Sequence, residues 1–136
     1  MIPLGTGTVD QEGSDVTIVT YGATVELARQ AVALLEGTPS VEIVDLRCLI
    51  PWDQELVARS VAKTGRVLVL HEDIRTSGFG AEVASWIAES CFDDLDAPVA
   101  RIGAKDCHVA YEPSLEDAIL PQPPQIAATL ETLLAY

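Results

Sequence analysis

The chain has 136 residues, enough for one domain whose core buries roughly two-thirds of the unfolded surface. Hydrophobic residues make up 49% and aromatic ones only 5%, so the core must be built from Val, Ile, Leu and Ala, as in an α/β domain and unlike a disordered chain. A net charge of −13 with eight Lys and Arg argues against nucleic acid, which needs a basic face, and leaves room for a basic protein partner.

Residues 1–13, "MIPLGTGTVDQEG", are polar and glycine-rich and read as a linker from a missing upstream domain; the domain proper is expected over 14–136. "DVTIVT" (15–20) is a β-branched strand. "YGATVELARQAVALLEG" (21–37) follows as a helix, with Val25, Ala28, Val32 and Leu35 near one face and Gly37 as the stop. "VEIVDL" (41–46) is the second strand, and Asp53 is a good N-cap for the helix at 54–65. The third unit has a strand at 66–70, a turn at 71–80 and a helix over about 80–91. "APVARIG" (97–103) reads as a fourth strand at the side or edge of the sheet. A turn-rich stretch with a short helical piece then leads to a last helix at 124–136, with Pro124 in its first turn. Strands alternating with helices predict a mostly parallel sheet covered on both faces, with any site beyond the strands' C-terminal ends.

The three cysteines, Cys48, Cys91 and Cys107, lack metal-ligand spacing and fit reduced thiols in a cytosolic protein. No apolar run reaches the roughly 18 residues of a membrane span, and no signal pattern opens the chain, so a soluble, cytoplasmic protein is expected.

The chemistry-bearing stretch is "HEDIRTSGFGAE" (71–82). His71 and Glu72 lie at the tip of the third strand, where a His–carboxylate pair could act as a general base. Neighbours on a strand point opposite ways, however, so a structural role at a turn or subunit contact is favoured. Gly78 and Gly80 open a helix whose free N–H groups could hold an anion, giving the alternative of a stand-alone module binding an anionic small molecule there. No basic residue follows as in a phosphate-binding loop, a lone Gly-x-Gly is a weak signal, and a tight turn with close packing is the favoured explanation of the glycines. Phe79 reads as a contact residue, and Arg75 as a partner for Glu72, Asp73 or a carboxylate of another subunit. A hydrolase using His71 and Glu72 lacks an identifiable nucleophile. His108 beside Cys107 makes a poor metal site without a second ligand pair. From Glu89 to Asp117 eight acidic residues face only Arg101 and Lys105, which suits a solvated face or a docking surface for a basic partner.

"GSDVTIVTYGATV" (13–25), "VEIVDLRCLIPWD" (41–53), "KTGRVLVLHEDIRTSGFGAEVA" (63–84) and "CFDDLDAPVARIGAKDCHVAYEP" (91–113) occur in this order. Together they resemble the C-terminal domain of the β subunit of thiamine-diphosphate-dependent 2-oxoacid dehydrogenases, the transketolase C-terminal-like fold. "LIPWD" and the ending in Tyr look more like the branched-chain type than the pyruvate type.

The resemblance implies a three-layer α/β/α domain with a five-stranded, mostly parallel sheet including one antiparallel edge strand. It implies a parent oxidoreductase that decarboxylates a 2-oxoacid and passes the acyl group to lipoyl. Thiamine diphosphate and Mg would be bound by domains absent from these residues. The chain would then hold no catalytic, cofactor-binding or metal residue and, alone, would be inactive. Its implied partners are its own copy across a twofold axis, an α subunit or fused α portion, and the basic subunit-binding domain of the acyltransferase. That docking region corresponds to Asp96 with Tyr136 nearby, while His71, Glu72, Arg75, Gly78, Phe79 and Gly80 carry the family motif and are implied to lie at an interface.

Overall fold

A computed structural model describes residues 3–136. Five strands form one sheet in the order β1-β3-β2-β4-β5: β1 Thr8–Gln11, β2 Val16–Thr20, β3 Val41–Asp45, β4 Val67–Ile74 and β5 Ala100–Ala104. β2, β3, β4 and β5 are parallel neighbours, and β1 alone runs antiparallel, on the outer edge of β3. Helices cover both faces, giving the three-layer architecture expected from the sequence.

Strand alternation divides the core. Val16 and Ile18 of β2 face one layer with Ile43, Leu68 and Leu70, closed by α1 (Thr24–Val32) and α5 (Pro123–Leu134). Val19, Val44, Val67 and Val69 face the other, closed by α2 (Gln54–Thr64) and α3 (Phe79–Ser90). Asp53 caps α2 by accepting from the Leu56 amide at 3.0 Å, as the sequence predicts. Gly65 ends α2 in the left-handed conformation (φ 65°). A short α4 (Pro113–Ile119) fills the turn-rich stretch before α5.

Two expectations need correction. Residues 8–11 are not linker: they form β1, which pairs Thr8 with Asp45 and Val9 with Val44. Gln11 Nε2 donates to the Val41 carbonyl at 2.8 Å, and Asp10 pairs with Arg29 of α1 at 2.5 Å. A polar edge strand lacks the apolar run that marks a central one, so its composition resembled a linker. Met1 and Ile2 of that expected linker lie outside the described residues. The second correction concerns the turn at 71–80. β4 continues to Ile74 because β5 runs beside it, pairing Ile74 with Ala104, and the Arg75 amide donates to the Ala104 carbonyl at 2.9 Å.

Among the described residues no helix is long and apolar enough to cross a membrane.

Candidate functional site: the switch point and the pole opposite

Consecutive connections leave β2 in opposite directions, to β3 on one side and on to β4 on the other. The C-terminal ends of β2 and β4 therefore form the topological switch point, where open α/β sheets bind ligands. Three rings meet there. Tyr21, just past β2, stacks on His71 of β4 with centroids 6.3 Å apart, and Phe79 at the start of α3 meets Tyr21 edge-on at 6.3 Å.

His71 is fully buried (0% exposed), whereas Glu72 is exposed, the alternation a strand imposes. The imidazole lies in a slot made by three glycines. A Cβ built on Gly78 or on Gly103 would come within 2.9 Å of His71 Cε1, and one on Gly80 would overlap Cδ2 and Nε2. Neither Gly78 nor Gly80 uses a positive φ; in this turn Ser77 does, at 64°. The glycine pair thus serves close approach of α3 to the His71 ring.

Both ring nitrogens lack a hydrogen-bond partner among the described residues. Burial pushes the His71 pKa below its usual value, with Asp73 opposing and Arg101 reinforcing. The neutral ring is accordingly the form the slot accepts. Burial, with the Asp73 and Glu72 charges, raises the Tyr21 hydroxyl to about 12. Arg75 has no carboxylate within ion-pair distance among the described residues; its carbonyl accepts from Arg101.

This arrangement does not fit a diphosphate or its metal. The first turn of α3 is filled by the His71 ring, and an Asp73 carboxylate oxygen would lie 3.1 Å from a Cβ on Gly78. Asp106 accepts from the Thr76 amide at 2.9 Å and its hydroxyl at 2.6 Å, adding a second carboxylate beside the turn. An anion there would meet the Asp73 and Asp106 carboxylates, which the charges of Arg75 and Arg101 beside the turn already face. The His71–Glu72 hydrolase reading fares no better, because the two side chains lie on opposite sides of the strand. Among the described residues no three His, Cys, Asp or Glu side chains cluster as a metal site.

A buried polar group that the sequence reading passed over lies under α2. Glu42 of β3 is 1% exposed and meets the Ser60 hydroxyl, the Lys63 ammonium and, at 3.3 Å, the Gly13 amide. Burial alone would raise its carboxyl pKa, but Lys63, Ser60 and Gly13 together hold it below the usual range. Thr17 extends the network to Ser60 at 2.7 Å and Thr64 at 2.8 Å. The signal was a glutamate in an apolar run, at the period that points it inward with Val44.

The other end of the sheet, where the parallel strands begin, carries Asp96 and Tyr136. The Asp96 amide donates to the Gly65 carbonyl at 2.7 Å, and its carboxylate lies 4.0 Å from Arg66. The carboxylate is nevertheless 66% exposed, and Tyr136, after α5, is 65% exposed. Asp93 and Asp94 of the 3-10 turn Phe92–Asp94 are exposed beside it. The structure therefore separates the sequence-derived candidates: His71, Gly78, Phe79 and Gly80 converge at one pole, and Asp96 and Tyr136 lie at the other.

The family description "Transketolase, C-terminal domain" matches residues 5–126. The chain belongs to the transketolase C-terminal domain family. Over 107 residues, 78% of this chain and 30% of the relative, it is 50% identical to 2-oxoisovalerate dehydrogenase subunit beta 2, mitochondrial, of Arabidopsis thaliana. Over 138 alignment positions, 100% of this chain and 42% of the relative, it is 36% identical to 2-oxoisovalerate dehydrogenase subunit beta of Bacillus subtilis. Pyruvate dehydrogenase E1 component subunit beta of Porphyra purpurea is 38% identical over 98% of this chain and 41% of its own length. Among solved structures, a split-gene transketolase described as an inactive beta4 tetramer matches with TM-score 0.84 and 30% identity, covering 98% of this chain and 44% of that one. The chain thus spans less than half the length of these relatives. Members of this family therefore include β subunits of branched-chain and pyruvate-type 2-oxoacid dehydrogenases, and the fold expected from the resemblance is the one observed.

Proposed function

We propose that the chain is the assembly and partner-docking domain of a thiamine-diphosphate-dependent 2-oxoacid dehydrogenase, of the branched-chain rather than the pyruvate type. The observation that carries this reading is the 50% identity to a 2-oxoisovalerate dehydrogenase β subunit over most of the chain. The filled switch point supports it: rings and glycines occupy the place where an α/β domain would hold a ligand. On this reading thiamine diphosphate and Mg are held by other domains of the parent enzyme, which supply the decarboxylation chemistry, and residues ahead of Thr8 lead back to the preceding domain. The protein works in the cytoplasm, paired with its own copy and with an α subunit or fused α portion.

The docking face is the acidic pole around Asp96 and Tyr136. An exposed carboxylate and phenol, with Asp93 and Asp94 alongside, suit a basic subunit-binding domain of a lipoyl acyltransferase, because opposite fields raise association rates and select partners. His71, Glu72, Arg75, Gly78, Phe79 and Gly80 shape the opposite pole, where exposed Glu72 and Arg75 are free to meet neighbouring domains. The catalytic part of the proposal is tested by supplying the 136-residue protein with thiamine diphosphate, Mg²⁺ and a branched-chain 2-oxoacid. No carbon dioxide above background is expected, and turnover would overturn the reading.

A further inference from the structure

The cations of this acidic chain are paired unevenly. Five of the eight Lys and Arg have a carboxylate within 4.0 Å: Arg29, Arg47, Arg59, Lys63 and Arg66. Arg75, Arg101 and Lys105 have none among the described residues, although the chain carries 21 acidic residues. These three gather where β4 and the edge strand β5 end. Arg75 and Arg101 line one hollow of about 440 Å³ between β5 and α5, with Ala100 and Ile102 in its wall. Gln125 and Thr129 of α5 complete it, and among the described residues no Asp or Glu lines it. Lys105 lines an adjoining hollow that shares Gly103 and Gln125 with the first and holds one carboxylate, Asp117.

The donors in the first hollow are set in advance. The Arg101 guanidinium donates to the Arg75 carbonyl, which fixes it beside the second arginine. The Thr129 hydroxyl is committed to the Gln125 carbonyl at 3.0 Å, so a ligand would meet the two guanidiniums and the exposed Gln125 carboxamide. Asp106 does not take their place. It is held ionised chiefly by its bonds from Thr76, with Arg75 and Arg101 assisting, and it lines a different hollow with Ile74 and Ser77.

We infer that this hollow binds the phosphate group of a small metabolite between Arg75 and Arg101. Two guanidiniums with no carboxylate between them repel each other, and a dianion turns that repulsion into two charge-assisted contacts. A tetrahedral phosphate presents oxygens in several directions, so it can accept from both forks and the amide together; each end of a dicarboxylate lies in one plane and suits one fork. The site borders α5 rather than the first turn of α3, so the His71 ring leaves it open. It goes beyond the assembly reading and shares no residue with the Asp96 pole, so either can fail without the other.

The test is a titration of the isotope-labelled 136-residue protein with inorganic phosphate, followed by amide chemical shifts. It is run at about pH 8, where phosphate is a dianion, with NaCl holding the ionic strength constant. Saturable shifts at Arg101, Gly103 and Gln125, with a dissociation constant of about 1 mM, are expected. Arg75→Gln and Arg101→Gln should each weaken binding at least about fivefold, while Arg59→Gln, at an exposed pair on α2, should leave it unchanged. Arg75 is exposed, so its variant tests the site even where Arg101→Gln disturbs the fold. Malonate, a dicarboxylate of the same charge, should bind at least about threefold more weakly. No saturable shift, shifts confined to Gly78 and Gly80, affinity unchanged in Arg75→Gln, or a preference for malonate would overturn the inference.

Discussion

Gly80→Ala is the sharpest probe of the packing at the switch point. Taken alone, the helix should gain from the change, since alanine is favoured over glycine within a helix by up to about 1 kcal/mol. The position has an ordinary backbone conformation, so no φ strain opposes it. What opposes it is the His71 ring. The added methyl would overlap Cδ2 and Nε2 and come 3.1 Å from Cγ. The ring cannot retreat, because the Gly103 and Gly78 backbones close the slot and Tyr21 stacks on it. Overpacking of this kind costs about 1–3 kcal/mol, so the net effect should be a loss of about 1–2 kcal/mol, measured by urea unfolding. Repeating the substitution in a His71→Ala background isolates the cause. There the obstruction is gone, and Gly80→Ala should be neutral or stabilising. Equal losses in both backgrounds, or a stabilised single variant, would refute the slot argument.

Glu42→Ala should cost about 2–4 kcal/mol in urea unfolding, because it strips partners from Ser60, Lys63 and the Gly13 amide at once. Lys63→Met should cost a comparable amount near neutral pH, about 2–3 kcal/mol, since it leaves the 1%-exposed Glu42 carboxylate without its counter-charge; a loss below about 0.5 kcal/mol would contradict the network. His71 has its folded pKa below the unfolded value of about 6.5, so its contribution to stability is complete above that value and is lost as pH falls towards the folded pKa. Over that window stability should drop by up to about 1.4 kcal/mol per pH unit, and His71→Leu should flatten the slope; an unchanged slope would show that the ring is not held neutral. Asp53→Ala removes both the cap on Leu56 and the acceptor for the Gly7 amide at 3.0 Å, and should lower stability by about 1–2 kcal/mol without changing the fold by circular dichroism.

The central strands, the capped helix α2 and the amphipathic helices could be read from period and caps, because each signal is local. β1 could not, since an edge strand of Thr, Val, Asp and Gln shows its role only when β3 lies beside it. The length of β4 was hidden for the same reason: Glu72 to Ile74 are polar or exposed and are held extended by β5, about thirty residues later. At the candidate site, the opposite orientation of His71 and Glu72 followed from strand geometry. The glycine slot did not, because it joins Gly78 and Gly80 to Gly103 through a ring on a third element. Gly-x-Gly before a helix looks the same in sequence whether it admits a phosphate or an imidazole. Only the filled space distinguishes them. The buried Glu42 shows the complementary limit, since its partner Lys63 sits 21 residues away on α2.

The central claim is that this domain's acidic pole docks a basic partner. Calorimetric titration of a basic subunit-binding domain from a lipoyl acyltransferase into the protein, at low and at physiological salt, tests it most directly. Binding that weakens with salt and falls at least about tenfold in Asp96→Lys is the predicted result. Affinity unchanged by Asp96→Lys at low salt, or no binding by the wild-type protein, would contradict it.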